Sequence, residues 1–172
     1  MTEATAAAPA PVDPGTFWRT LGSRVTGMTV VTADSDEGPV GFLGLSAAHV
    51  AASPPTMLVS IDRKTSALAG VLSRRHFAVN FLDASAAHVA EAFGGKAGVS
   101  GADRFVAGEW TTLETGAPVN KAALGVFDCR VDQIVAHGDI SIVIGTVVAA
   151  TARPDGDPLV FFRGKVLSGL GG

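Results

Sequence analysis

The chain has 172 residues and a formal net charge of −3, with no long basic run, which excludes nucleic acid as its expected partner. Its one cysteine, Cys129, excludes an internal disulfide and suits a reducing compartment, so the expected location is the cytoplasm. Charged residues are 17% and apolar ones 47%, so an apolar ligand filling a cleft, a subunit interface covering one face, or both, must hide part of the surface.

Residues 1–15, MTEATAAAPAPVDPG, lack the basic start and apolar segment of a secretory signal. Their Ala, Pro and Thr content buries little, so they read as a flexible arm, either free or wrapped around a neighbouring subunit. Residues 16–172 read as one domain, and no uncharged apolar run is long enough to predict a membrane span.

Helical spacing of Phe17, Trp18 and Leu21 predicts a helix over 16–23, with Asp13 or Thr16 as its cap and Pro14 near its start. Residues 25–33 are β-branched and predict a strand; Asp36-Glu37-Gly38-Pro39 turns the chain, and 40–46 return as its hairpin partner. After Pro54-Pro55, the apolar run 57–61 is a third strand, followed by a short helix over 65–72 and a strand over 77–82. Residues 85–93 are helical, with Ala86, Val89, Ala90 and Phe93 on one face, and the glycine-rich 94–101 is a loop. Strands over 124–136 and 140–150 are split by His137-Gly138-Asp139, and 158–163 form a last strand ending at Gly164. The order, about seven strands and three short helices without a repeat, predicts a mainly β fold: an antiparallel, Greek-key-like barrel rather than a doubly wound parallel sheet.

Most protein-borne chemistry is missing from the sequence. There is no G-x-G-x-x-G, no P-loop and no G-x-S-x-G elbow. The four histidines show no metal-ligand spacing, and Cys129 sits in an apolar strand as a packing residue. Chemistry without a nucleophile points to a borrowed cofactor.

The segment 41–66 suggests which one. Gly41, Phe42, Leu43 and Gly44, followed by Leu45, Ser46 and Ala47, form a smooth surface that a flat ring can approach closely; a core strand with a bulge is the alternative. The strand carrying Ser60 then delivers Asp62, Arg63, Lys64, Thr65 and Ser66 to a helix start, where a cation, hydroxyls and free amides suit a phosphate; an ordinary solvated N-cap is the alternative. An apolar ring with a phosphate at its far end is a flavin, FMN or FAD.

The chain also resembles the short-chain flavin reductase family, whose fold is an FMN-binding split β-barrel, over roughly residues 17–167. The likeness is carried by TGMTVVTA, GFLGLS before SPPTMLVSI, RKTS, FAVNFL, DRF, EW, APV, CRV, HGD and PLVFFRG in that order. The resemblance implies a homodimer that passes electrons from NADH or NADPH to flavin, and then to a partner flavin-dependent monooxygenase. It places the flavin ring and phosphate at the two stretches above. It brings Phe93, Lys96, Arg104 and Phe105 around the flavin or its tail, although core packing and a solvated ion pair explain those residues equally well.

The resemblance further implies a nicotinamide site at His137, Gly138 and Asp139, with Phe162 and Arg163. The family's usual Gly-Asp-His is Gly138-Asp139-Ile140 here, and its Thr-Ala-Asn is Leu43-Gly44-Leu45. Backbone must therefore carry more of the ring recognition, and His137 is the only histidine near the turn. A flavin- or haem-binding barrel without reductase activity is the rival expectation, with His49 or His137 as the haem ligand; a dimer with no ligand is a third.

Overall fold

The computed structural model describes residues 10–169. Helix α1 (Pro14–Leu21) starts where the Asp13 carboxylate accepts the Thr16 amide at 3.0 Å and Pro14 fills the first turn. It begins two residues before the expected boundary, so the end of the expected arm is helical; residues 1–9 of that arm lie outside the described residues. The helix buries none of its residues, and Phe17 and Trp18 stay 51% and 65% exposed.

The strands follow as β1 (Thr26–Gly27), β2 (Thr29–Ser35), β3 (Gly38–Leu43), β4 (Ala48–Ala52) and β5 (Pro55–Asp62). Helix α2 (Ala67–Arg74), β6 (His76–Phe81) and helix α3 (Ala87–Phe93) come next, then β7 (Trp110–Thr112), β8 (Pro118–Asn120), β9 (Gly125–His137) and β10 (Ile140–Ala152). β11 (Leu159–Phe162) and β12 (Lys165–Ser168) are the last strands among the described residues. The long β-branched runs are where the sequence predicts them. The additional strands β1, β4, β7, β8 and β12 are five residues or shorter, and pairing rather than propensity makes them strands.

Seven strands form one antiparallel sheet in the order β3-β2-β6-β9-β10-β5-β4. Its two edge strands, β3 and β4, are consecutive in the chain and joined only by residues 44–47, so Leu43 and Ala48 stand roughly 18 Å apart at most. The sheet must therefore curl until its edges approach, which makes a barrel. A smaller sheet, β1-β11-β12, and the pair β7-β8 lie outside it.

Alternation along β2 feeds two cores. Val31 and Ala33 join Val59, Ile61, Phe77, Val79 and Val143 in one cluster, which α2 completes with Leu68 and Val71. Val30 on the opposite face packs with Met28, Leu82, Leu159 and the α3 residues Val89, Ala90 and Phe93. Helix α2 lies so close to the sheet that a Cβ on Gly70 meets the Asp34 carbonyl oxygen at 2.8 Å and Val40 Cγ2 at 2.6 Å.

The loop after β6 ties β11 to the barrel. The Met28 amide donates to the Leu159 carbonyl and the Leu159 amide to the Leu82 carbonyl, at 2.8 and 2.9 Å. Buried Asp83 accepts from the Ser85 hydroxyl at 2.6 Å and the Ser85 amide at 2.8 Å, and Arg153 stands 3.8 Å away. The Ser85 hydroxyl first, its amide second, and then Arg153 hold the Asp83 carboxyl below its ordinary value.

Two outcomes follow. Helix propensity alone favours Gly70→Ala by about 1 kcal/mol, but the backbone overlap dominates, so chemical denaturation is expected to show a loss of about 1–3 kcal/mol. A stability gain contradicts the packing. Because the folded pKa of Asp83 is depressed, its contribution is present above the unfolded value of about 4 and is lost as pH falls through the folded value. Ser85→Ala is expected to reduce stability at neutral pH and to shrink the drop in Tm on acidification; an unchanged acid limb contradicts this.

Candidate functional site

Three chain segments meet at one end of the barrel. β5 ends at Asp62, which pairs with Ile140 at the start of β10, so the two-residue turn Gly138-Asp139 lies beside it. Gly138 takes a φ of 56° that the turn requires. The Arg63 amide donates to the Asp139 carbonyl at 2.9 Å and fastens one turn to the other. The third segment is the crossing from β3 to β4. Ser46 Oγ donates to the Ser60 carbonyl at 3.2 Å and accepts the Ser60 amide at 3.3 Å, two residues before the end of β5.

The turn after β5 organises itself. The Asp62 carboxylate accepts the Lys64 amide at 2.8 Å, and its carbonyl accepts the Thr65 amide at 2.9 Å. Ser66 then stands at the N-cap of α2 without a side-chain capping bond. Among the described residues, the side chains of Arg63, Lys64, Thr65 and Ser66 make no hydrogen bond or ion pair with the protein. Two cations, two free hydroxyls and the positive end of an eight-residue helix fit a phosphate group.

The glycines of the crossing serve the protein's own packing. A Cβ on Gly44 meets Val31 Cγ2 at 2.5 Å, and one on Gly41 meets Phe93 Cε1 at 2.7 Å. These two glycines thus admit neighbouring side chains, which corrects the reading of their smallness as room for a ring. Much of the backbone is also committed: the Gly44 amide donates to the Thr29 carbonyl at 2.8 Å, the Thr29 hydroxyl donates to the Gly44 carbonyl, and the Ala47 amide donates to that same carbonyl at 3.2 Å. Among the described residues the amides of Leu45 and Ser46 donate to no protein group and stay free for a ligand. Phe42 and Ala47 pack against the barrel core, and Leu43 against the core under α3.

A pocket of about 700 Å³ begins at Leu45. It is lined by Trp18, Arg19, Leu21 and Arg24 from α1 and the segment after it, and by Phe161 and Arg163 from β11 and its turn. Sequence reasoning names Arg163 and Leu45 but misses the rest of this wall. Phe162 is beside the pocket, its ring 5.0 Å from the Arg163 guanidinium. Arg163 and Phe162 belong to the β1-β11-β12 sheet, and the His137–Asp139 turn belongs to the seven-stranded one.

Phe93 and Phe105 form an aromatic cluster with Trp110, with centroids 4.8–5.7 Å apart. The Arg104 guanidinium sits 5.9 Å from the Phe93 ring and donates to the Gly41 carbonyl at 3.4 Å. This arrangement is the core-packing alternative, while exposed Lys96 donates its amide to the Glu91 carbonyl at 3.1 Å. His49 and His137 are both exposed, His49 opposite Met57 on β4 and His137 at the end of β9, and neither lines the pocket. Burial and Asp128 push the Cys129 thiol up to about 12, so it is inert as a nucleophile.

A model described as the flavin reductase like domain matches residues 21–169. FMN reductase (NADH) RutF of Enterobacter sp. strain 638 is 35% identical over 151 residues, covering 88% of this chain and 91% of that one. Among solved structures, the chain is similar to BorF, the flavin reductase component of a bacterial two-component tryptophan halogenase, with 28% identity, a TM-score of 0.83 and coverage of 91% and 98%. The NADH:FAD oxidoreductase SgcE6 of Streptomyces globisporus C-1027 matches at 28% identity and a TM-score of 0.82, over 94% of this chain and 98% of that one.

The two hydrogen bonds between Ser46 and Ser60 set an expectation for Ser46→Ala: a loss of about 1 kcal/mol in denaturant unfolding, because one exposed hydroxyl makes both contacts. No change in stability contradicts its role in closing the barrel.

Proposed function

Since the chain belongs to the flavin reductase like family, we propose that it is an NADH-dependent flavin reductase that passes hydride from the nicotinamide to FMN or FAD. The observation that carries this reading is the Arg63–Asp139 hydrogen bond, which sets a cationic, hydroxyl-bearing turn against the β9–β10 turn and beside Ser46. Bound flavin supplies the hydride acceptor, which is why the chain needs no nucleophile or general acid of its own. Arg63 and Lys64 neutralise the flavin phosphate, and the Ser66 hydroxyl and the α2 amides bond it. The free amides of Leu45 and Ser46 meet the polar edge of the ring, and the Ser60 anchor holds them still. His137, Gly138 and Asp139 border the nicotinamide, with His137 exposed and uncommitted.

In this reading reduced flavin leaves for a partner monooxygenase in the cytoplasm, and the protein is a homodimer. The low charged fraction and the exposed Phe17–Trp18 pair support the dimer. No helix among the described residues is long and apolar enough to cross a membrane.

The purified chain is expected to oxidise NADH when FMN or FAD is added, seen as falling nicotinamide absorbance, and Lys64→Ala to raise the flavin KM by about three- to tenfold. No turnover with either flavin and either nicotinamide overturns the reading. Light scattering on the same sample is expected to return twice the chain mass; a monomer at micromolar concentration contradicts the dimer.

A further inference from the structure

We propose that Asp62 sets how long the flavin stays: its carboxylate offsets the cations of the turn after β5 and so keeps the flavin an exchangeable substrate rather than a fixture of the protein. The inference rests on the reductase reading, which places the flavin phosphate at this turn.

The charges of the turn cancel before any ligand arrives. Arg63 and Lys64 bring two positive charges, and Asp62 brings a negative charge beside them in the chain. A second negative charge comes with Asp139, whose carbonyl takes the Arg63 amide at 2.9 Å. All four residues are exposed, and among the described residues neither carboxylate forms an ion pair. No structural partner absorbs their charge, so it acts on whatever anion approaches the turn. The chain as a whole, at −3, adds nothing that favours an anion.

Asp62 also takes a donor away. Its carboxylate accepts the Lys64 amide at 2.8 Å, so an internal anion already occupies one of the amides from which a phosphate draws bonds. Its carbonyl accepts the Thr65 amide at 2.9 Å, and the Thr65 carbonyl accepts the Leu68 amide at 3.0 Å. Among the described residues the amides of Ser66 and Ala67 donate to no protein group and remain for the ligand. The oxygen and the charge of Asp62 therefore pull in opposite directions. The oxygen shapes the turn, which binding needs; the charge repels the phosphate, which release needs. Reduced flavin carries the same phosphate as oxidised flavin, so it leaves through the same contacts. Asparagine separates the two effects, since it keeps an acceptor oxygen at the same reach and discards the charge.

The test compares the full chain with Asp62→Asn, using FMN and riboflavin as probes; riboflavin has the ring and lacks the phosphate. Flavin fluorescence gives the Kd, and stopped-flow dilution gives the dissociation rate. Asp62→Asn is expected to bind FMN about three- to tenfold tighter and to release it more slowly by a similar factor, with riboflavin unchanged. Added salt is expected to close the gap between the two proteins, by weakening FMN on the variant while the parent changes little. Asp62 is exposed, and an unchanged Tm establishes that the variant folds. The flat salt response of the parent tests the charge balance without any substitution. Equal or weaker FMN binding by Asp62→Asn overturns the proposal, as does an equal gain for riboflavin or a steep loss of FMN affinity with salt in the parent. A parent that binds neither FMN nor riboflavin overturns the reductase reading as well, so the two failures are told apart.

Discussion

The short crossing from β3 to β4 is the constraint on which the rest of the structure depends. Residues 44–47 must carry the chain from one edge of a seven-stranded sheet to the other, and they are fastened at both ends. Thr29 on β2 and Gly44 exchange two hydrogen bonds on one side; Ser46 and Ser60 on β5 exchange two on the other. The sheet curls because this link is short, and the free amides of Leu45 and Ser46 acquire a fixed position because its neighbours are committed. Gly44 is obligatory for the same reason: any side chain there meets Val31.

Around that link the molecule separates charge from apolar surface. Arg63 and Lys64 stand at the start of α2, and Arg19, Arg24 and Arg163 stand at the pocket beyond Leu45. The core cluster around Val59 and Val143 holds one thiol, Cys129, kept protonated by burial. A scaffold of this kind binds, orients and excludes water while the hydride chemistry resides in its ligands.

What could be read from the sequence depended on range. The strands β2, β5, β6, β9 and β10 announce themselves through runs such as TVVTADS and GVFDCRV, because β-branched residues state a local preference. The turn Asp62–Ser66 and the Gly138-Asp139 turn are also local, and their chemistry is legible residue by residue. β4, with the sequence AHVAA, carries no such preference and becomes a strand only by pairing with β5. The spacing of Phe17, Trp18 and Leu21 correctly predicts a helix, yet no local signal tells that its apolar side chains stay exposed. The arginine-lined pocket is invisible for a plainer reason: Arg19 and Arg24 approach Arg163 only after the small sheet pairs β1 with β11. Phe93 and Phe105 show the converse case, aromatic residues beside a glycine-rich loop that turn out to pack on Trp110.

The central claim is that the crossing at Leu45 and Ser46, together with the turn after β5, holds the flavin. Amide chemical shifts of the full chain, followed while FMN is titrated in, test it most directly. The account predicts that the largest changes fall on Leu45, Ser46, residues 63–66 and Asp139. Unmoved signals at those positions, with the changes gathered instead around Phe105 and Trp110, contradict it.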